Sequence, residues 1–464
     1  MFYGLIGEKL GHSFSKEIHE KLGRYEYELK ELAPDEVEAF LRGREFAGIN
    51  VTIPYKQTVI PFLDEITERA RAIGAVNTIA NRNGKLLGDN TDFGGMEALI
   101  RRMGLTLEGK KVLIAGTGGT SKTAKAVAEA LGASEIFKLS RSAKEGSISY
   151  EEAYQTHADA RILIHTTPAG MYPATDGIAV DLERLPGLEG VVDVVYNPLT
   201  TRLVHTAKEK GIPAENGLYM LVAQAVLAAE IFTGEKFGDA CIEKIYREIA
   251  FEKRNIVLTG MPGSGKTTLG RILSQRLGRD LVDTDEKIVE KAGMPITEIF
   301  RLQGEKAFRD MESDVLMEVS RTGEKIIATG GGAILRSENV AVLKMNGTLV
   351  FLDRDPAGLL PTDDRPLADD AEKIRRLYEE RYPKYTAAAD LRLEIRGGPE
   401  ETADELLEKL NENTRDKRTE SEHAGDPRTG DLRRGELRSA LRKGADLCPG
   451  EGNGCGTVPV EPRG

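Results

Sequence analysis

Cysteine is nearly missing. Three residues (Cys241, Cys448 and Cys455) in a chain of 464, odd in number and widely spaced, make no disulfide framework. Long apolar runs are missing too. The most apolar window, residues 220–232, is broken by Gln224 and Glu230 and falls short of the ~20 residues a bilayer requires. There is no excess of positive charge: 64 basic side chains face 75 acidic ones, net −11. That balance argues against nucleic acid or an anionic membrane as the main partner, while leaving room for local sites that bind small anions. The opening MFYGLIG has no basic stretch and no sustained apolar segment, so no signal peptide is expected. These absences point to a reducing, cytoplasmic setting. What is present is ordinary for a globular protein, with 40% hydrophobic and 30% charged residues. At ~150 residues per domain the length allows roughly three domains, each able to bury a core without a staple.

Two stretches share one pattern: VLIAGTGGTSKTA at 112–124 and NIVLTGMPGSGKT at 255–267. Each is a short apolar run, a glycine-rich turn and a helix-forming segment. This is how α/β domains open a nucleotide site, because exposed N–H groups at a helix start attract anions. The turns differ in chemistry, so two nucleotide sites are expected rather than an internal repeat. Residues 1–100 carry their own strand signals at 25–32 and 48–54 and a helical one at 67–73, and read as a separate lobe. From 101 to 252, strand-like runs (162–164, 191–195) alternate with helical ones, closed by helices at 218–232 and 241–251. Glu252, Lys253 and Arg254 lead straight into the next strand, with no Gly/Ser-rich or Pro-rich linker, which predicts a tight junction. A second α/β domain fills 253–412. Residues 413–464 hold nine of the fifty glycines, dense mixed charge and no aromatic residue. Such a composition cannot offset its chain entropy, so disorder is expected there. The fold class is therefore α/β throughout: a substrate lobe, a Rossmann-like lobe, a P-loop domain and a tail.

In the first turn, Gly116, Gly118, Gly119 and Thr120 would face a dinucleotide. The next strand-like run, 135–139, ends in Ser140, Arg141 and Ser142. A site for NAD places an acidic residue there for the ribose 2′-hydroxyl, whereas a guanidinium between two hydroxyls suits the 2′-phosphate of NADP. The plain alternative is that Arg141 is a surface residue, but NADP is the preferred reading. The surrounding motifs, in order, are GEKLGHSFS (7–15), NVTIPYK (50–56), GAVNT (74–78), NTD (90–92), YNPLT (196–200) and MLVAQ (220–224). Over residues 1 to ~250 this series resembles the shikimate dehydrogenase family. The resemblance implies that Ser13 and Ser15 bind the substrate carboxylate and that Lys56 and Asp92 form the catalytic pair. It also implies that Asn50, Thr52, Asn77, Tyr196 and Gln224 contact substrate, and that Met171 and Gly217 contact NADPH. The chemistry agrees: hydride delivery to a ketone builds negative charge on oxygen, and a lysine oriented by a carboxylate supplies the proton. Bland roles compete, namely helix capping for the serines and a surface ion pair for Lys56 with Asp92. Lys9 and Lys16 stand where the family usually has proline, and His165 replaces its usual asparagine at the head of HTTPAGM (165–171).

The second turn, GMPGSGKT at 260–267, satisfies the phosphate-loop pattern in full. Gly260, Gly263, Ser264 and Gly265 would cradle phosphates, Lys266 would reach the β and γ groups as a catalytic residue, Thr268 would add a polar contact, and Thr267 would ligate Mg²⁺. The acceptor is not given by this loop. Downstream come DTD (283–285), GEKAFRDME (304–312), GGG (330–332), DRPL (364–367) and RYPKY (381–385). From ~254 to ~410 this series resembles shikimate kinase. By that resemblance Asp283 helps hold Mg²⁺, Asp285 engages the substrate hydroxyls, and Arg309 and Arg381 grip the carboxylate. Gly330, Gly331 and Gly332 let backbone approach the ring, and Arg365 closes over the phosphates of ATP. Asp283 or Asp285 would also serve as a helix N-cap, and Arg309 pairs readily with Glu312. The segment AGLLP at 357–361 lacks an arginine that the family often uses against adenine, which predicts altered ATP affinity.

The product of the first resemblance is the substrate of the second. The expectation is a bifunctional enzyme acting on small molecules, 3-dehydroshikimate and shikimate, with NADPH, ATP and Mg²⁺, as a monomer or a homodimer. Two alternatives stand beside it: a quinate-type dehydrogenase, and a second half that only senses nucleotide. Cys448 and Cys455 with His423 give too few ligands for zinc.

Overall fold

The computed structural model describes residues 2–11, 13–142, 146–359 and 371–413. Three sheets follow one another along the chain. The first holds β1 (Phe2–Gly7), β2 (Tyr27–Glu31), β3 (Phe46–Val51), β4 (Glu65–Ile66), β5 (Thr78–Arg82) and β6 (Lys85–Asp89), in the order β2-β1-β3-β5-β6-β4. Strand β1 runs parallel to β2 and β3, while β5 is antiparallel to both β3 and β6. Its edge strand β2, sequence YELKE, is exposed after Tyr27, and its charges discourage pairing with another chain.

The second sheet is wholly parallel: β7 (Lys111–Ala115), β8 (Glu135–Leu139), β9 (Ile162–His165), β10 (Gly190–Asp193) and β11 (Ala214–Glu215), ordered β11-β10-β9-β7-β8. The chain moves from β7 outward to β8 and then crosses to β9 on the other side. The ends of β7 and β9 thus form the switch point where α/β sheets bind ligands. The third sheet is also parallel: β12 (Asn255–Thr259), β13 (Leu281–Asp283), β14 (Ile326–Ala328), β15 (Gly347–Asp353) and β16 (Leu391–Glu394), ordered β13-β14-β12-β15-β16. Strands β12 and β15 are buried at every position, as their near-continuous apolar runs require when helices cover both faces.

The expected strand at 48–54 begins earlier, at Phe46, and stops at Val51, because Thr52 opens a turn that continues to the Lys56 region. The helical signal at 67–73 becomes helix Glu68–Ile73, with the Thr67 side chain capping the Ala70 N–H. The two closing helices form as Leu218–Thr233 and Gly238–Lys253. The first of them packs along helix Thr91–Arg102 at close range. A Cβ on Gly95 would stand 2.6 Å from the Met220 carbonyl oxygen, and one on Gly94 would stand 2.5 Å from Leu227. Two glycines in a helix cost stability relative to alanine, but here they bring the two helix backbones together. Helix Gly238–Lys253 ends one residue before β12, so the junction is tight. Among the described residues no helix is long and apolar enough to cross a membrane. The segment 414–464 and Arg365 lie outside the described residues.

Candidate functional sites

The first site gathers where β3, β5, β6 and helices Thr91–Arg102 and Leu218–Thr233 meet. Lys56 Nζ lies 2.6 Å from Asp92 Oδ2. Asn77 Nδ2 donates to the other carboxylate oxygen, Asp92 Oδ1, at 2.8 Å, and the same amide faces Thr91 Oγ1 at 3.1 Å and Gln224 Oε1 at 3.3 Å. Asn77 is fixed in turn by the Thr91 N–H, which donates to its Oδ1 at 2.7 Å. Asn50 sits beneath this group: it accepts from Tyr27 Oη at 2.8 Å and donates to the Asn77 carbonyl at 3.2 Å. Asn50, Asn77, Asp92 and Gln224 are all buried, and every buried amide here has a partner, as buried polar groups require. The close approach at Gly95 puts Gln224 in this network.

Ser13 and Ser15 stand at the entry to helix Ser15–Lys21. The cap position is Phe14, which offers no side-chain hydrogen bond. Ser13 Oγ accepts from the Ser15 N–H at 3.2 Å and also bonds Ser15 Oγ at 3.1 Å. Capping is therefore a minor duty of Ser13, and Ser15 is the first helical residue. Tyr196 packs its ring against Phe14, centroids 5.2 Å apart, and burial pushes its hydroxyl up to about 12. Thr52 anchors the end of β3 through its N–H, which donates to the Ile6 carbonyl at 3.0 Å.

At the switch point, Gly116 has φ +122°, and a Cβ there would meet Thr166 Oγ1 at 2.5 Å, so only glycine lets the ends of β7 and β9 approach this closely. Gly118 is the N-cap of helix Gly119–Ala130 and provides no side-chain cap, so the first amides of this helix are left for another acceptor. Ser140 and Ser142 lie with their hydroxyls 3.4 Å apart beyond β8, flanking an exposed Arg141. Met171 is exposed. Gly217 is required by a different contact: a Cβ would stand 2.1 Å from the Val194 carbonyl oxygen. His165, the departure noted in the sequence, is buried at the end of β9. Its Nδ1 lies 2.9 Å from Asp193 and its Nε2 2.5 Å from Thr167, so it ties the turn after β9 to β10.

The second site is a cavity of about 740 Å³ at the C-terminal edge of the third sheet. Gly260, Gly263 and Gly265 all have positive φ, which shapes the loop before helix Lys266–Leu277. Lys266 Nζ donates to the carbonyls of Gly260 and Met261 at 3.0 and 2.9 Å, which folds the ammonium over the loop. Ser264 Oγ is buried without a hydrogen-bond partner, and Thr268 lines the cavity. Thr267 Oγ1 donates to Asp283 Oδ2 at 2.8 Å, while Asp283 Oδ1 caps the next helix through the Asp285 N–H at 3.0 Å. Asp283 thus both caps and faces Thr267. One hydroxyl and one carboxylate fit Mg²⁺, which keeps its waters and takes substrate phosphates rather than a full protein cage.

Across the cavity stand two buried guanidinium groups. Arg309 Nη1 donates to Glu312 Oε2 at 2.7 Å, and Arg381 Nη1 donates to the Gly331 carbonyl at 3.0 Å. Burial raises the Glu312 carboxyl above its usual range, against the opposing pull of Arg309. Glu312 Oε1 and Arg381 Nε are buried without hydrogen-bond partners, in two of the residues that line the cavity. The glycines are needed for room. A Cβ on Gly330 would meet Asp285 Oδ1 at 2.5 Å, on Gly331 Pro262 at 2.9 Å, and on Gly332 Arg309 Nη1 at 2.0 Å. Sequence reasoning missed Tyr385, whose hydroxyl donates to the Gly331 carbonyl at 2.5 Å, and the apolar wall of Phe300 and Phe308. The spacing of Tyr385 four residues after Arg381, on one helix face, was the available signal.

These two sites define a dinucleotide-dependent oxidoreductase followed by a P-loop phosphotransferase. Comparison with known proteins carries this further. A family model for the shikimate dehydrogenase substrate binding domain matches residues 5–79, and one for shikimate kinase matches residues 262–411. The NADP(+) shikimate dehydrogenase of Clostridium perfringens strain SM101 is 38% identical over 265 residues, covering 53% of this chain and 97% of that protein. That of Geobacillus kaustophilus is 41% identical over 256 residues, covering 50% and 92%. The crystal structure of a chorismate mutase/shikimate 5-dehydrogenase fusion protein from Clostridium acetobutylicum matches with a TM-score of 0.51 and 33% identity, over 53% of this chain and 96% of that one. The chain belongs to the shikimate dehydrogenase family through its first half, and a shikimate kinase domain follows in the same polypeptide.

Proposed function

We propose that the first half reduces 3-dehydroshikimate to shikimate and that the second half phosphorylates shikimate to shikimate 3-phosphate. The observation that carries this reading is the presence, in one chain, of the Lys56–Asp92 pair and of a phosphate-loop cavity walled by Arg309 and Arg381. The reading divides the chain into a substrate lobe (1–100), an NADP lobe with closing helices (101–252), a kinase domain (253–412) and a tail (413–464).

When bound, NADPH supplies the hydride and MgATP the phosphoryl group. In the first half, Ser13 and Ser15 hold the substrate carboxylate, and Asn50, Thr52, Asn77, Tyr196 and Gln224 orient the ring hydroxyls. Lys56 Nζ donates a proton to the carbonyl oxygen as it becomes an alkoxide. Asp92, itself fixed by Asn77, holds the ammonium in line and stabilises its charge. Gly116 through Thr120 and Gly217 give the dinucleotide room, Met171 covers it, and Ser140, Arg141 and Ser142 select its 2′-phosphate. In the second half, Arg309 and Arg381 bind the carboxylate of shikimate through planar forks that match it. Asp285 orients the 3-hydroxyl and takes its proton. Gly260 through Thr268, with Lys266, neutralise phosphate charge, and Thr267 and Asp283 hold Mg²⁺. Arg365 completes the ATP site. The scarcity of cysteine and the buried Cys241, which is in no disulfide, support a cytoplasmic location.

The test is to incubate the full chain with 3-dehydroshikimate, NADPH and MgATP and identify the products by mass spectrometry. Shikimate 3-phosphate is expected. Shikimate alone would overturn the kinase assignment, and unreacted ketone would overturn the dehydrogenase assignment.

A further inference from the structure

The two halves meet in an unequal way. The first presents the loops that follow β1 and β10, at the edge where its substrate and cofactor bind. The second presents the turns that precede β12, β14 and β15, the edge opposite its own phosphate loop. Lys253 stands at the centre of this seam. It is the last residue of its helix and is buried, with only 8% exposed. Its Nζ lies 2.7 Å from Glu17 Oε1 and 2.6 Å from Glu324 Oε1, and 4.7 Å over the Phe14 ring. Glu17 and Phe14 flank Ser15. One ammonium therefore joins the kinase turn to the segment that carries both serines.

A second tie comes from the same edge. Asn346 Oδ1 accepts from the Leu199 N–H at 2.9 Å, and the Met345 carbonyl accepts from the Thr200 N–H at 2.8 Å. Asn346 is itself held by donating to the Ser320 carbonyl at 3.0 Å. These bonds fix the loop that begins at Tyr196, whose ring packs on Phe14. The fit is close: a Cβ on Gly323 would stand 1.8 Å from the Lys253 carbonyl oxygen. A cavity of about 370 Å³, lined by Ser13, Phe14, Glu17, Lys253, Glu324 and Asn346 among others, lies between the serine segment and the kinase turn.

We propose that Lys253, with Glu324 and Asn346 of the kinase half, is the positioning element that sets the Ser13–Ser15 segment and the 196–200 loop in their substrate-binding arrangement. The kinase half thereby completes the dehydrogenase site, while its own site, on the opposite edge of its sheet, gains nothing from the contact. This inference rests on the reading of Ser13 and Ser15 as carboxylate ligands.

The experiment is steady-state kinetics of both reactions on the full chain, with Lys253→Met, Lys253→Arg, Glu324→Gln and, separately, Ser13→Ala. Lys253→Met is expected to raise the dehydrogenase KM for shikimate by about tenfold, with kcat, the KM for NADP⁺ and both kinase constants unchanged. Lys253→Arg, which keeps the charge, recovers most of the loss. Glu324→Gln, on the kinase side and exposed, gives a smaller rise in the same direction and serves if the Lys253→Met chain does not fold. An unchanged KM for shikimate in both Lys253→Met and Glu324→Gln, beside a raised KM in Ser13→Ala, overturns the positioning role alone. A parallel loss of kcat and NADP⁺ affinity also overturns it, because general loosening would do that. An unchanged KM in Ser13→Ala overturns the carboxylate reading and the positioning role together.

Discussion

Lys56 Nζ and Asp92 Oδ2 are 2.6 Å apart, and the second oxygen of that carboxylate is taken by Asn77, so the aspartate has one free direction and the lysine fills it. A carboxylate held on both sides cannot swing away when substrate enters, and the ammonium it orients is pre-set for one proton path. Replacing Lys56 with Met is expected to lower the dehydrogenase kcat by about 10²–10⁴-fold while NADPH binding, followed by fluorescence, stays intact. A kcat within about threefold of the parent would exclude Lys56 as the proton donor.

Cofactor choice should follow Arg141. Its guanidinium is exposed between Ser140 and Ser142 beyond β8 and pairs with no carboxylate among the described residues. The KM for NADPH is expected to rise by about tenfold, equivalent to ~1.4 kcal/mol, with that for NADH unmoved. Equal effects on both cofactors would remove the 2′-phosphate from the account.

The kinase should lose substrate affinity in acid earlier than a free carboxylate would allow. Burial raises the Glu312 carboxyl despite Arg309 beside it, so Glu312 takes up its proton at a higher pH than an exposed glutamate does. Once neutral, it no longer holds Arg309 in place. The acid limb of kcat/KM for shikimate phosphorylation is therefore expected above the ordinary glutamate range, and Glu312→Gln should flatten it. A limb that persists unchanged in Glu312→Gln belongs to another group.

His19 gives the dehydrogenase half a pH-dependent stability. Its ring is buried, stacked 3.9 Å from Tyr27, and burial pulls its pKa down to about 3, with Asn50 opposing weakly. The unfolded chain protonates this histidine near pH 6.5 and the folded one does not. Stability is thus full above that value and falls as pH drops toward 3, by ~1.4 kcal/mol per pH unit. Urea unfolding at pH 7.5 and 5.5 should differ in midpoint, and His19→Gln should shrink the difference. An equal difference in both proteins would assign the effect to other groups.

Much of both candidate sites was legible because the residues the fold brings together sit in short contiguous motifs. Lys56, Asp92, Lys266, Thr267 and Asp283 fall within segments whose spacing reflects one loop or one helix start. The network around Asn77 was less visible, since Gln224 reaches it only because Gly95 lets the Met220 backbone approach to within 2.6 Å of a Cβ position. The ring of His165 reads in sequence only as a substitution. Its partner Asp193 is supplied by a neighbouring strand and its other partner, Thr167, by the following turn. Lys253 looked like one more charge at a helix end, because its partners Glu17 and Glu324 come from the two distant halves. Tertiary contacts of this kind carry no local periodicity to read.

The single residue between helix Gly238–Lys253 and β12 also sets an order of assembly. Domains fold from the N-terminus as they leave the ribosome. The dehydrogenase sheets are complete before β12 emerges, and β12 is the central strand of a sheet whose neighbours β14 and β15 arrive only later. Of the three partners at the seam, Glu17 is therefore synthesised first, Lys253 just ahead of β12, and Glu324 only after β13. A chain cut at this seam and supplied as two pieces would have to find by diffusion what the intact polypeptide meets by construction, and each polypeptide delivers the two enzymes in equal number.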